Sequence, residues 1–383
     1  MSVSGLLSTF RTDLPAEPPE VAAERARVRD FLRTEAAGTM QVTCDSWLAG
    51  FDPGFSREIG SRGWIGMTWP VEYGGRALTT ARRYAVIEEL IAAGAPVAAH
   101  WFADRQVGPG LLRNGTPEQR ARFLPAMARG ELFFSIGMSE PEAGSDLGAV
   151  RTRAVPVGDG WTVTGSKIWT SHAHRAHYIL ALVRTGPPGK PAGALTQMII
   201  DLRAPGVTVR PITSLSGSSK FCEVFFDDVA VPAEDVLGTV GDGWRQVRHE
   251  LAFERSGPER FLSTFPMLTL AAREHAADRP PPVELGEIVA RLSVLRAMSG
   301  RVNQQLGAPN PPAVAAAVVK DLGTRLEVET AEWARDWLAE QRPASPELRR
   351  LLDEAQLQSP GFTLRGGASE VMRDLIARDL ETT

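Results

Sequence analysis

The chain has 383 residues, 43% hydrophobic and 23% charged, with 42 basic and 46 acidic side chains and a net charge of −4. That length points to two or three packed units rather than one small core. The charge balance excludes the polybasic signature of a nucleic-acid or anionic-lipid binder, and no apolar run approaches the roughly 18–20 residues that span a bilayer.

The opening MSVSGLLSTFRTDLPAEPPE lacks a basic region followed by a long apolar stretch and reads as no export signal. Cys44 and Cys222, the only cysteines, read as buried reduced thiols rather than a disulfide framework. The expectation is a cytoplasmic protein with no membrane or nucleic-acid partner.

In chain order, the first 130 residues read as helical. PEVAAERARVRDFLRTEAA and TARRYAVIEELIAAGA carry apolar residues at helical spacing. TPEQRARFLPAMARGE adds a capping Thr116 with Pro117 at the first helical position. From about residue 131 the character changes. GWTVTGSKIWTS, AHYILALVRT, ALTQMIIDL, GVTVRPI and CEVFFDDVAV are short β-branched or aromatic runs punctuated by Gly, Pro and Asp, the pattern of an antiparallel sheet or barrel. From about 239 the helical pattern returns, broken by proline clusters at 280–282, 309–312 and 343–346. The boundaries are therefore 1–130, 131–238 and 239–383, an α+β chain with a β domain between two helical ones.

Three segments carry the chemistry. GMSEPEAGSD (137–146) supplies hydroxyls at Ser139 and Ser145 and small residues whose backbone can approach a ligand. GSKIWTSHA (165–173) adds the flat face of Trp169 beside Thr170 and Ser171. By composition alone the first is a surface loop and Trp169 a core residue. Leading into HELAFERSG (249–257), Trp244, Val247 and Leu251 form a helical stripe whose next position is Glu254. An inward glutamate can be a structural ion pair with Arg255 or Arg260, or a functional carboxylate. SHAHRAHY (171–178) crowds His172, His174 and His177, but this spacing is a weak metal signal without a further ligand group, and strand alternation sends His172 and His174 to one face and His177 to the other; no metal site is expected.

MSEPEAGSD followed by KIWTS resembles the flavin-binding signatures of the acyl-CoA dehydrogenase family. NGTPEQRARFLPAMARGE, CEVFFDDVAVP with VLGTVGDGW, and SEVMRDLIARDL resemble other family segments, so the likeness covers nearly the whole chain. It implies an N-terminal helical domain, a central antiparallel β-barrel and a C-terminal four-helix bundle, with FAD as cofactor. By motif position, the Ser139 loop lies along the pyrimidine side of the flavin, Trp169 packs on the isoalloxazine, and Ser171 stands near flavin N5. Ser145 lies near the pyrophosphate or the CoA arm of the substrate. Met138, Gly144, Thr170, Gly367 and Ser369 complete the implied cofactor contacts.

Family chemistry removes an α-proton from an acyl-CoA thioester while a hydride leaves the β-carbon for the flavin, and electrons pass on to an electron-transferring flavoprotein. A base in a dry pocket is strengthened by desolvation. Most members carry it in a C-terminal Tyr-Glu-Gly-Thr motif; here LRGGASE places Gly366 at the position of the glutamate. A minority carry it in Leu-x-x-Glu-Arg, which LAFER (251–255) matches. The resemblance thus implies Glu254 as catalytic base and Arg255 as a substrate-side positioning residue.

The chain departs from homotetrameric members. It has no Arg-x-x-Phe-Gly in AAREHAADRPPPVELGEIVARL and no Gln-x-x-Gly-Gly-x-Gly in LLDEAQLQSPGFTLRGG. Both motifs reach the ADP half of a neighbour's FAD. Their absence implies a second, dehydrogenase-like subunit in an α2β2 heteromer, a type associated with large acyl-CoA substrates including steroid side chains. The alternative is a non-catalytic subunit that stabilises an active paralogue. A third class, flavin chemistry on oxygen or nitroalkanes, needs a different base arrangement and nothing in the sequence singles it out.

Overall fold

A computed structural model describes residues 17–187, 192–275, 282–305, 312–340 and 344–381, without the side chains of 251–254 and 340. In chain order the helices are α1 (Pro19–Thr34), α2 (Ser46–Ala49), α3 (Pro53–Ser61), α4 (Thr80–Ala92), α5 (Ala98–Phe102), α6 (Gly108–Asn114) and α7 (Pro117–Ala128), then α8 (Gly243–Glu254), α9 (Phe265–Glu274), α10 (Val283–Gln305), α11 (Ala313–Glu340), α12 (Pro346–Phe362) and α13 (Ser369–Glu381). Between α7 and α8 run β1 (Phe134–Gly137), β2 (Arg153–Val157), β3 (Gly160–Ser171), β4 (Tyr178–Arg184), β5 (Leu195–Asp201), β6 (Val207–Ile212) and β7 (Phe221–Pro232). The chain divides into two compact units, one within Met1–Phe51, Thr79–Val97 and Ala252–Thr383, the other Asp52–Leu78 and Ala98–Leu251.

The first unit is helical. α1 begins on a proline at its first turn, where a missing N–H costs nothing. It buries Val21, Val28 and Phe31. Arg25 of α1 donates to Glu88 (2.6 Å) and Glu89 of α4, and Arg296 of α10 donates to the same Glu88 (2.7 Å). A buried carboxylate shared by two guanidiniums thus joins three helices. α11 packs alanines on three neighbours. Ala315, Ala316 and Val319 meet Val302 of α10, and Ala331 and Ala334 share a cluster with Leu348, Leu351 and Ala355 of α12 and Met267 and Ala271 of α9. Each buried leucine there contributes roughly 1.5–3 kcal/mol. Of the proline clusters read in the sequence, residues 280–281, 309–311 and 343 lie outside the described set; Pro346 opens α12, where a missing N–H costs nothing.

The second unit carries the sheet. The capping box on α7 is complete: Thr116 Oγ1 accepts from Gln119 N–H (3.2 Å) while Gln119 Oε1 accepts from Thr116 N–H (3.1 Å). The five segments read as β in the sequence are β3 to β7. The expected antiparallel barrel is corrected here. The sheet is mixed, with order β1-β4-β2-β3-β7-β6 and β5 on β4. β1 runs parallel to β4, pairing Phe134 with Tyr178 through Gly137 with Ala181. β1 has four residues and β2 five, too short to show a period. Parallel pairing needs a long crossover, which the segment between β1 and β4 provides. Ile179–Val183 of β4 are all buried, as expected for a strand covered on both faces.

α8 starts in this unit. Trp244 and Val247 pack with Met138, Ala143, Val150, Leu182 and Leu195, so the first half of the stripe read in the sequence faces this cluster; the side chains of Leu251 and Glu254 lie outside the described set. Both cysteines are free and buried. Among the described residues no helix is long and apolar enough to cross a membrane.

Candidate active site

The loop between β1 and β2 is closed by a buried ion pair. Glu140 Oε1 accepts from Lys167 Nζ of β3 at 2.8 Å. Arg151 N–H donates to Glu140 Oε2 (2.6 Å) and Thr152 N–H to Oε1 (2.9 Å). Lys167 Nζ also donates to the Met138 carbonyl (3.2 Å). Burial lowers the Lys167 ammonium to about 8 against the attraction of Glu140. Glu140 sits below its ordinary value: burial raises it, but the Lys167 charge and the donors on its oxygens prevail.

This lock joins the two segments that carry seven of the predicted cofactor residues, 138–145 and 169–171; Gly367 and Ser369 belong to the helical unit. Ile168 N–H donates to the Ser139 carbonyl at 2.9 Å, tying the loop to β3. Met138 and Ser139 are half-buried, and Gly144 and Ser145 are exposed. Trp169 adopts φ +59°, a conformation uncommon for a bulky residue, where the β3–β7 register breaks between Lys167 and Thr170. The break turns its indole outward: Trp169 is 56% exposed and touches the edge of Phe221. Thr170 points the other way, fully buried, with no partner for its Oγ1. Ser171, also buried, ends the strand, and its carbonyl accepts from Ser135 Oγ (2.8 Å).

These features fit a flavin. A strained, exposed indole offers a face for an aromatic ring. An orphaned buried hydroxyl is costly unless a ligand satisfies it. Ser369, in the helical unit, is a second such case, buried with an unpartnered Oγ.

Behind the same loop lies a groove of about 780 Å³ lined by Gly148, Arg151, Arg153, Arg184, Thr185 and Trp244, among others. Arg184 is committed to the wall, donating to the carbonyls of Gly148 (2.7 Å) and Val150 (2.8 Å). Arg151 and Arg153 are exposed there. Its lining mixes these cations with the Asp146 carboxylate and apolar Ala149, Val150, Ala154 and Val155.

In the helical unit the turn from Thr363 to Ser369 is held by three cations on its carbonyls. Lys320 Nζ donates to Thr363 O (2.8 Å), Arg260 Nη1 to Arg365 O (3.5 Å) and Arg255 Nε to Gly366 O (3.4 Å). Arg365 itself pairs with Glu327 (2.7 Å) and Asp45. Burial, then the nearby Arg260 and Arg365, push Lys320 down to about 7. Burial pushes Glu327 up to about 7 against Arg365. Gly366 and Gly367 have φ +71° and +101°. A Cβ on Gly366 would lie 2.8 Å from Arg260 Nη2, and one on Gly367 2.9 Å from Met372 Cε. A Cβ at Gly366 would thus meet the Arg260 guanidinium first. Glu254 is the last residue of α8, and its side chain lies outside the described set.

The histidines are not on a strand, because β3 ends at Ser171 and β4 begins at Tyr178. His177 Nδ1 accepts from Phe133 N–H (3.1 Å) and His174 Nδ1 lies 3.1 Å from Cys222 Sγ. Sequence reasoning missed Glu140, Lys167 and the arginine groove. A signal for Lys167 existed: it shares strand parity with buried Val163, so it stands at an inward position of β3.

The acyl-CoA dehydrogenase N-terminal domain family matches residues 18–131 and the middle domain family residues 135–229. The Mycobacterium tuberculosis acyl-CoA dehydrogenase IpdE1 is 34% identical, covering 94% of this chain and 96% of its own. FadE29 of the same organism, also an acyl-CoA dehydrogenase, is 33% identical over 84% of this chain and 86% of its own. Among solved structures, the Tcur3481-Tcur3483 steroid ACAD superposes with a TM-score of 0.83 at 28% identity over 96% of this chain and 98% of that one. The ChsE4-ChsE5 complex from Mycobacterium tuberculosis gives 0.80 at 28% identity over 97% and 99%. With two of its regions matching family domains and a relative aligned over nearly its full length, the chain belongs to the acyl-CoA dehydrogenase family of enzymes.

Proposed function

We propose that the chain is the base-carrying subunit of an FAD-dependent acyl-CoA dehydrogenase that introduces an α,β double bond into an acyl-CoA thioester. The observation that carries this reading is the Arg260 guanidinium against the Cβ direction of Gly366, which would pair with a carboxylate on the C-terminal turn and weaken it as a base, together with the carboxylate that LAFER supplies at 254. Glu254 takes the α-proton, and Arg255 positions the substrate beside it. A flavin held here would supply the acceptor for the β-hydride. Trp169 supplies the face for its ring; Met138, Ser139, Gly144, Thr170, Ser171, Gly367 and Ser369 hold it. Ser145 and the arginines of the groove hold the CoA arm through its phosphates. Electrons then pass to an electron-transferring flavoprotein.

On the same reading the chain comprises an N-terminal helical domain (1–130), a β domain (131–238) and a C-terminal four-helix bundle (239–383). The missing adenine-side motifs and the likeness to the Tcur3481-Tcur3483 steroid ACAD and the ChsE4-ChsE5 complex, each named as a pair, support an α2β2 heteromer. The steroid named for one of these relatives supports a bulky acyl group, such as a steroid side chain, as substrate. The missing motifs also favour the second reading, a non-catalytic subunit.

Glu254→Gln, assayed in the native assembly, separates the two. Loss of an essential base lowers kcat by about 10²–10⁴-fold with bound flavin and fold unchanged. Unaltered turnover would assign catalysis to the partner.

A further inference from the structure

Glu140 and Lys167 have no part in the roles assigned so far, yet four hydrogen bonds that close the loop after β1 run through them. Both are buried, with side-chain exposures of 5% and 0%. Lys167 donates to the Glu140 carboxylate and the Met138 carbonyl; Glu140 accepts from the N–H groups of Arg151 and Thr152. One end of the loop so fixed is Met138–Ser139, stitched to Ile168 just before Trp169. The other end is Arg151, which lines the arginine groove. A buried ion pair that serves only its own charges is replaceable by apolar residues at little cost. This one also satisfies a backbone carbonyl and two backbone amides, which apolar side chains cannot do.

We propose that Glu140 and Lys167 are positioning residues that fix the flavin-facing backbone and the arginine groove in one register, so that a single preorganised loop serves cofactor and substrate phosphates together. The inference rests on the flavin reading above. Neither residue touches the reacting atoms; they act through the Met138–Ser139 backbone, Trp169 and Arg151.

The test compares Lys167→Met, Lys167→Arg and the double variant Glu140→Gln/Lys167→Met with the wild type in its native assembly. Three quantities are read: amide-exchange protection at Arg151, Thr152 and Ile168, thermal stability, and FAD affinity with the flavin absorption band. Lys167→Met is expected to lose that protection and to weaken FAD about tenfold or more, the scale of one charge-assisted hydrogen bond. Lys167→Arg recovers part of both. The double variant leaves no lone buried charge, so it regains stability but neither the protection nor the FAD affinity. A double variant with wild-type affinity and protection would reduce the pair to charge compensation and overturn the proposal. Should the wild type hold no FAD, the flavin reading fails on that measurement alone, and the exchange data still decide whether the pair holds the loop.

Discussion

The two units each bury a lysine, and the surroundings are opposite. Lys167 in the sheet unit meets a carboxylate at 2.8 Å. Lys320 in the helical unit meets a carbonyl, with Arg260, Arg365 and Arg255 among its charged neighbours. Burial is the main cause of a lowered pKa in both, but Lys167 stops at about 8 and Lys320 falls to about 7. One unit uses an ion pair to fix a loop. The other uses cations to cap a turn whose carbonyls follow the end of a helix, where positive charge is favoured. The second device has a chemical consequence, because a turn lined by cations is a poor place for a carboxylate that must work as a base.

The largest effect expected follows from that consequence. Moving the carboxylate, as Glu254→Gln/Gly366→Glu, should not restore turnover lost in Glu254→Gln, a deficit of about 10²–10⁴-fold. The new side chain starts 2.8 Å from Arg260 Nη2 and would be ion-paired there, on a backbone at φ +71° that resists any Cβ. Recovery of steady-state dehydrogenation to within about tenfold of wild type, a residual cost of ~1.4 kcal/mol, would show that the cationic turn tolerates a base. A smaller effect isolates the backbone. Gly366→Ala alone combines left-handed strain with the guanidinium contact and should destabilise the chain by about 1–3 kcal/mol, read as a lower thermal midpoint. An unchanged midpoint would mean that Arg260 moves aside freely.

The same comparison explains what was legible in the sequence. Strands β3 to β7 announce themselves because each is a run of β-branched and aromatic residues between turn formers. β1 escapes because Phe134–Gly137 is four residues long and finds its parallel partner some forty positions later, a pairing no local pattern encodes. Trp169 is legible as a flat face, but its outward turn depends on a register break against β7 that only the paired strands reveal. Lys167 and Lys320 look like ordinary surface residues in a composition count. Their burial follows from partners 27 and 43 residues away, Glu140 and the Thr363 carbonyl. Charge at an inward strand or helix position was the available clue in both units, and only Glu254 was read that way.

A pH dependence tests the cationic turn of the helical unit. Lys320 has a folded value of about 7 against an ordinary 10.5. Below pH 7 it is charged in both folded and unfolded chains, and the native state bears the full burial cost. Between 7 and 10.5 the unfolded chain holds a proton that the native chain has released, so this group makes stability rise with pH. Glu327 acts in the opposite sense in a lower window: raised from 4.5 to about 7, it favours the native state most below 4.5, and that contribution is lost as pH rises to 7. Lys320→Met removes only the first dependence. The Thr363 carbonyl keeps the Ser369 N–H at 3.0 Å as a donor, so the offset from the lost hydrogen bond is about 1 kcal/mol and independent of pH. The thermal midpoint of the wild type should therefore climb relative to Lys320→Met from pH 7 upward, while below pH 7 the two curves run parallel. Curves that stay parallel from pH 7 to 10 would mean that Lys320 keeps its proton through hydrogen bonding, and that its cationic neighbours are balanced by Glu327, Asp45 and Asp321 more fully than the contrast with Lys167 implies.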